Sequence, residues 1–300
     1  MSKLAHHHGA GKPDVIRSFE LTEPADLLPF LGRVFPQIKR TVLKQMLAHR
    51  QVRVNGNVTS RATQPLAAGD VVDVNLSREF REFYHRRLRI VYEDDYIIVV
   101  HKGYGLLSIG DDTKRNSETA YSILRDYLKW SHPGNKLFIV HRLDRDTTGL
   151  MVFAKTLEAK ESLQHNWNNM VLERKYVCVV EGTPEPAEGV VRSRLAENSR
   201  HEVYVLPDDS TEGQLAVTRY RTLASGHGLS LVECELDTGR KNQIRVHMKQ
   251  LGTPISGDRR YGGHPSPMHR MCLHAMTLRF VHPVTRRDMR FTTPIPFRIS

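Results

Sequence analysis

Apolar and polar positions along this chain fall into short alternating or helical segments, with no long apolar stretch. Residues 1–13 are rich in small residues and lysine and predict a flexible tail. From residue 14, VIRSFELTE alternates like an edge strand. DLLPFLGRVF follows with Leu27, Leu28, Phe30, Leu31 and Val34 at helical spacing. QIKRTVLKQMLAHR repeats that spacing, with Ile38, Val42, Leu43, Met46 and Leu47 as one apolar stripe. Lys39, Arg40, Lys44 and Arg50 are left toward water, and Arg53 adds a further cation in the next segment. That segment, QVRVNGNVTS, runs through Asn55-Gly56, a hairpin signal because the turn needs positive φ. AAGDVVDVN supplies another Gly-Asp turn and another short strand. Two small helices with a basic exposed face and a little sheet suit a compact RNA-binding module, although a solvated charged face fits the same pattern equally well.

Beyond this module, SREFREFYHRR, residues 77–87, is dense in arginine and aromatics without periodicity and reads as a basic linker able to touch phosphates. From residue 88 to 300 strand-like segments dominate. IVYEDDYIIVVHK gives a strand, an acidic turn and a second strand. KLFIVHR, GLMVFAK, KYVCVVEG, AVTRYRTLA, SLVECELD and LHAMTLRFVHP continue the pattern. Helices are predicted only at about 117–130, 156–170 and within 237–254. So many hairpin-like strands predict an α+β domain with a mixed, largely antiparallel sheet, and argue against a doubly wound fold.

Charge narrows the partners. Lys and Arg number 44 against 33 Asp and Glu, a net +11 over 300 residues. Such an excess attracts polyanions, nucleic acid first. No apolar run approaches the roughly 20 residues that span a bilayer, and the first residues lack the apolar centre of a secretory signal. Cys178, Cys234 and Cys272 are widely separated, which suits a reducing cytosol. The sixteen histidines form no His-Glu-x-x-His pattern, so a metal enzyme is disfavoured.

Candidate chemistry concentrates in four places. HRLDRDTTGL, 141–150, sets Asp144 between Arg142 and Arg145, with Asp146 close by. A turn aspartate is the bland reading. DTGRKNQIRVHMKQLGTP, 237–254, predicts a helix capped by Asp237 or Thr238, with Ile244, Met248 and Leu251 buried and Gly252 and Pro254 ending it. Arg240, Lys241, Arg245 and Lys249 then line its start and flank. This is either an anion site or an ordinary surface helix. Tyr176 in ERKYVCVVEG and His274 in LHAMTLRFVHP read, taken alone, as strand packing and a satisfied core histidine.

KRTVLKQMLAHRQVRVNG…AAGDVVDVN resembles the alpha-L RNA-binding domain over about 20–76. HRLDRDTTG, ERKYVCVVEG, AVTRYRTL, LDTGR…QIRVH, GTPISGDRRYG and LHAMTLRFVHP resemble, in order over about 88–295, the RluA-type pseudouridine synthases. That family is marked by His-Arg-Leu-Asp-x-x-Thr-Ser-Gly. The resemblance implies a tail at 1–13, an alpha-L domain at 14–76, the linker at 77–87 and a catalytic domain at 88–300. It implies an isomerase converting uridine to pseudouridine in ribosomal or transfer RNA, ribosomal RNA of the large subunit being favoured, in the cytosol. No cofactor, metal or membrane is involved, and a monomer is expected.

By the same resemblance Asp144 is the catalytic carboxylate, paired with Arg245. Tyr176 lies against the target base and is a candidate for proton transfer, with Ile244 on the base's opposite face. Arg142 replaces the extruded uridine in the RNA stack. Arg240 and Lys241 are candidate substrate contacts from their charge at the helix start and not from the resemblance, and for Lys241 a neutral substitution fits equally well. Lys39, Arg40, Lys44, Arg50 and Arg53 are expected to bind RNA from the N-terminal module.

Two departures stand out. Lys241-Asn242 replaces the usual Thr-His, and Gly-Tyr stands in HKGYGLLS where many members carry proline. Neither is expected at a position that holds the chemistry, so they bear on substrate choice. Two other readings compete. A non-catalytic RNA-binding assembly factor would tolerate loss of Asp144. A hydrolase would use Asp144 and Asp146 on one strand face, but it lacks a separate acid.

Overall fold

The computed structural model describes residues 14–80, 83–110 and 118–299; the expected tail and part of the expected linker, residues 81–82, lie outside them. Described residues up to Tyr84, together with Asp126–Asn135, form one compact unit. Those of His85–Arg125 and of the chain from Lys136 onward form the other.

The first unit runs β1 (Ile16–Glu20), β2 (Ala25–Asp26), α1 (Leu27–Val34), α2 (Arg40–Ala48), β3 (Val52–Val54), β4 (Asn57–Val58), β5 (Pro65–Leu66) and β6 (Val71–Asn75). Its four-stranded sheet has the order β1-β6-β3-β4, and β2 pairs with β5. The β3–β4 hairpin turns on Asn55 (φ 49°) and Gly56 (φ 80°), the left-handed pair that such a two-residue loop requires. Leu27, Leu31, Leu43, Leu47, Val52, Val72 and Val74 make the core. Val42, expected in the stripe of α2, is instead 41% exposed. Leu43, Met46 and Leu47 set the buried face, and Val42 lies about a quarter-turn from its centre.

The second unit opens with β7 (Leu88–Glu93) and β8 (Ile97–Lys102), followed by α3 (Ala120–Ser131), whose last residues belong to the first unit. Then come β9 (Phe138–Ile139), β10 (Thr148–Ala154), α4 (Leu157–His165), α5 (Trp167–Met170), β11 (Val171–Glu181), β12 (Glu188–Glu197), β13 (Val203–Val205), β14 (Gln214–Gly226), β15 (Leu229–Leu236), α6 (Gln243–Gln250), β16 (Leu273–Val281) and β17 (Asp288–Thr292). One eleven-stranded sheet follows the order β13-β12-β14-β15-β11-β16-β10-β8-β7, with β17 on β16 and β9 on β10. Every pairing is antiparallel except β10 with β16. The fold is therefore α+β with a mostly antiparallel sheet, as the hairpin-rich pattern predicts.

LFIV supplies only two strand residues, because β16 already occupies the same edge of β10 at Thr148 and Gly149. That parallel contact explains the glycine of HRLDRDTTG. Gly149 has φ +116°, and a Cβ there would stand 2.1 Å from the Ala275 carbonyl oxygen.

The sequence places the third helix too early. Neither Asp237 nor Thr238 caps it: α6 begins at Gln243, after Asn242 in the left-handed region (φ 54°). Gln243 takes the capping work inward. Its Oε1 accepts from the Thr238 hydroxyl (2.8 Å) and the Arg240 N–H (2.9 Å), while its Nε2 donates to the Val217 carbonyl (2.9 Å). Nor is α6 a surface helix, since Gln243, Ile244, Val246, His247 and Met248 are all buried. Ile244 and Met248 join Val177, Cys178, Val180 and Val232 in the core of the sheet. Among the described residues no helix is long and apolar enough to cross a membrane.

Candidate active site

HRLD forms the irregular connection between β9 and β10, and its backbone is fastened on both sides of Asp144. Ser108 clamps Leu143 twice, its hydroxyl donating to the Leu143 carbonyl (2.6 Å) and accepting from the Leu143 N–H (3.1 Å). Lys102 donates to the Arg145 carbonyl at 3.0 Å. The Val152 N–H donates to His141 Nε2 (3.1 Å), and burial, aided by the nearby Arg174 charge, pushes that imidazole down to about 3. Asp144 and Asp146 do not share a strand face: the Thr147 N–H returns to the Asp144 carbonyl (3.2 Å), making a turn. The premise of the two-carboxylate hydrolase is thereby removed.

Against Asp144 stands Arg245. Its Nη1 is 3.2 Å from Asp144 Oδ2, while Nε and Nη2 reach the two oxygens of Asp258 at 2.7 and 2.8 Å. Burial opposes a charge here, but the Asp258 carboxylate, and Asp144 after it, more than offset it and raise the guanidinium's pKa, so Arg245 stays cationic. The fork-to-fork pairing with Asp258 fixes the plane in which Nη1 is offered to Asp144. Asn242 Oδ1 also accepts from Nη1 (3.0 Å), and the guanidinium lies 4.8 Å from the Tyr261 ring centre. Asn242, the second residue of the Lys241-Asn242 departure, thus touches the arginine that faces Asp144. Asparagine tolerates the left-handed turn before α6, and that turn brings its amide onto Arg245. Asp258, Asn242, Ser108 and Lys102 were all missed as site residues. Asn242 gave a sequence signal as part of the Lys241-Asn242 departure, and Asp258 gave one as a lone carboxylate beside Arg259 and Arg260 in GTPISGDRRYG.

Tyr176 stands on the central strand β11, opposite Cys234 of β15 and Ala275 of β16, beside a register shift at Lys175/Tyr176. Such irregularities re-aim side chains next to sites. A small cavity of about 60 Å³ is lined by Tyr176, Ile244, Asp144, Arg142, Arg245 and Leu273, among others. Removal from water raises the Tyr176 phenol, Arg174 opposes this and Asp144 adds to it, so the phenol remains protonated at neutral pH.

Arg142 is exposed and lines this cavity and two larger ones, of about 700 Å³ and 390 Å³. Among the described residues it has no ion-pair partner. Arg240 reaches the 390 Å³ cavity but is tethered through Nε to the Leu215 carbonyl (3.0 Å). Lys241 borders the 700 Å³ cavity, with its ammonium on Glu197 (2.6 Å).

In the first unit Lys39, Arg40, Lys44 and Arg50 are exposed. Arg53 is not displayed in that way: it donates to Asp73 (2.7 Å) and lies over the Phe80 ring (4.6 Å). His274 is a satisfied core residue, between the Thr148 and Thr293 hydroxyls (2.7 Å each), and burial lowers it to about 3.

A cleft in a mostly antiparallel α+β domain, with one carboxylate, the arginine paired with it and a tyrosine on a shared cavity, defines the class of site. Residues 96–250 match a family model described as RNA pseudouridylate synthase. The chain is 31% identical over 286 residues to ribosomal large subunit pseudouridine synthase D of Haemophilus influenzae, covering 89% of this chain and 86% of that one. It is 36% identical over 215 residues to an uncharacterized RNA pseudouridine synthase of Bacillus subtilis, covering 71% and 74%. Among solved structures, human RNA pseudouridylate synthase domain containing 4 superposes with a TM-score of 0.57 at 26% identity, over 69% of this chain and 88% of that one. The chain belongs to the RNA pseudouridylate synthase family and is an isomerase acting on RNA.

Proposed function

We propose that the chain converts uridine to pseudouridine in large-subunit ribosomal RNA, with Asp144 as the reacting carboxylate. The observation that carries this reading is the convergence of Asp144, Arg245, Tyr176 and Ile244 on one cavity. Arg142, on the rim, enters the RNA stack as the target uridine leaves it, offsetting an unstacking cost of a few kcal/mol. The uracil lies between Tyr176 and Ile244. The bond from C1′ to N1 breaks, the ring turns, and C1′ joins C5; the C5 hydrogen leaves as a proton while N1 gains one. Atoms and electrons balance without an oxidant or reductant, so the protein's chief task is to hold fragments in register.

Ribosomal RNA is favoured over transfer RNA by the naming of the Haemophilus influenzae relative. The segment 14–76 acts as an alpha-L RNA-binding module, 77–87 as a basic linker, and the chain from 88 as the catalytic domain. Three buried free cysteines favour a reducing compartment, the cytosol. The test is Asp144→Asn. Turnover should fall by about 10⁴-fold or more, and carbodiimide mapping of ribosomal RNA from a strain carrying only this variant should lose its pseudouridine signals. Undiminished signals would overturn the assignment.

A further inference from the structure

The 700 Å³ cleft that Asp144 lines has room for more than one pyrimidine ring. Tyr104 and Arg270 are among its lining residues that have no part in the site described so far. Tyr104 is 40% exposed and occupies the turn after β8, where Gly105 has φ +71°. That turn is rigidly held. The buried Lys102 ammonium donates to the Gly103 carbonyl (3.3 Å) and the Leu106 carbonyl (2.8 Å), and Arg87 donates to the Gly105 carbonyl (3.2 Å). Since Lys102 also holds the Arg145 carbonyl, one side chain ties the tyrosine's turn to the loop of Asp144.

Arg270 is partly buried, with its guanidinium 4.9 Å from the Phe297 ring centre and 6.0 Å from that of Tyr104. Its polar neighbour is the Thr148 hydroxyl at 3.5 Å. Among the described residues it has no carboxylate partner. Burial works against its charge and prevails over the opposing influence of the Cys272 thiol and the Tyr104 phenol. An un-neutralised guanidinium beside an aromatic ring on a fixed turn matches a nucleotide's two chemistries, a phosphate for the cation and a base face for the ring.

We propose that Tyr104 and Arg270 form a subsite for a nucleotide neighbouring the target uridine, its base stacked on Tyr104 and its phosphate held by Arg270. The inference rests on reading Asp144 as the reacting centre. Gly103-Tyr104 is the pair that stands where many members of the family carry proline, so the subsite bears on which RNA this chain selects.

Tritium release from a large-subunit ribosomal RNA transcript made with 5-tritiated uridine reads turnover, because the new bond at C5 displaces that hydrogen. Tyr104→Ala should raise KM about 10-fold with kcat within about 2-fold, whereas Tyr104→Phe should keep KM within about 2-fold. Arg270→Met should flatten the dependence of log KM on log salt by about 0.7, the share of one single-strand phosphate, and Arg270→Lys should retain it. An unchanged KM in Tyr104→Ala, a Tyr104→Phe as impaired as Tyr104→Ala, or an unaltered salt slope in Arg270→Met overturns the subsite. If Arg270→Met fails to fold, the Tyr104 pair and the Arg270→Lys slope decide. An inactive Asp144→Asn beside an unaffected Tyr104→Ala overturns the subsite alone. Wild-type tritium release by Asp144→Asn overturns the reading of Asp144 and the subsite with it.

Discussion

Arg245 serves two carboxylates at once, and they differ in what they do with it. Asp258, almost wholly buried, takes Nε and Nη2, while the more accessible Asp144 receives only Nη1. With Asp144 as the proposed reacting carboxylate, Asp258 becomes a positioning residue that fixes the guanidinium offered to it. Asp258→Ala should lower kcat about 10²-fold, the usual cost of about 1 Å of misplacement. RNA affinity, measured by filter binding, should stay within about 3-fold. Asp258→Asn, which keeps one acceptor for the guanidinium, should recover part of kcat, whereas a general loss of folding would lower kcat and affinity together in both variants. At this scale the sequence names the residues that converge on the cavity, Asp144, Tyr176, Ile244 and Arg245, through their motifs. It is silent on those that hold them. Ser108 meets Leu143 and Lys102 meets Arg145 across 35 and 43 residues of chain, through bonds to backbone carbonyls that no side-chain pattern records.

At the scale of elements, strand order decides which small residues matter. Gly149 lies where β10 meets β16, and a Cβ there would press on the Ala275 carbonyl in a backbone conformation with φ +116°. Gly149→Ala should cost about 3 kcal/mol or more, read as a drop in the urea midpoint. Gly32 in α1 has nothing within 4 Å of its would-be Cβ, so Gly32→Ala should stabilise by about 0.5–1 kcal/mol.

Two buried histidines join elements in the same way. His247 of α6 lies between Thr218 (2.8 Å) and Ser193 (3.0 Å), and burial lowers it to about 4; His274 behaves similarly at about 3. Between those values and 6.5 the unfolded chain binds protons that the folded chain refuses, so stability rises with pH across that window. Going from pH 6.5 to 5 should cost about 2 kcal/mol per histidine, and since the His141 imidazole, lowered to about 3, adds a third share, His247→Gln should remove about a third of the combined loss. The sequence shows His274 as a core residue through its apolar run. His247 lies outside the apolar stripe of Ile244, Met248 and Leu251 that the sequence shows, and its burial depends on Ser193 of β12 and Thr218 of β14, far away in sequence.

For the whole molecule, the net charge of +11 is the quantity RNA meets first. Where that charge is free differs from where it is present. Lys39, Arg40 and Lys44 are exposed cations on and just before α2, whereas Arg53 is committed to Asp73 and Phe80. Cations that meet phosphate release counterions, each adding about 0.7–0.9 to the steepness of log affinity against log salt. Changing Lys39, Arg40 and Lys44 together to Glu should therefore weaken binding of a ribosomal RNA transcript and flatten that slope by about 2 or more. With RNA at saturation, kcat should be unaltered. Arg53→Ala should instead lower the melting temperature of the protein and leave the slope as it was, because its loss breaks a contact between β3 and β6. Both variants remove positive charge from the same unit. If their slopes changed in proportion to the charge removed, net charge alone would govern capture; a flat result for Arg53 beside a large one for α2 would show that the fold decides which cations reach the RNA.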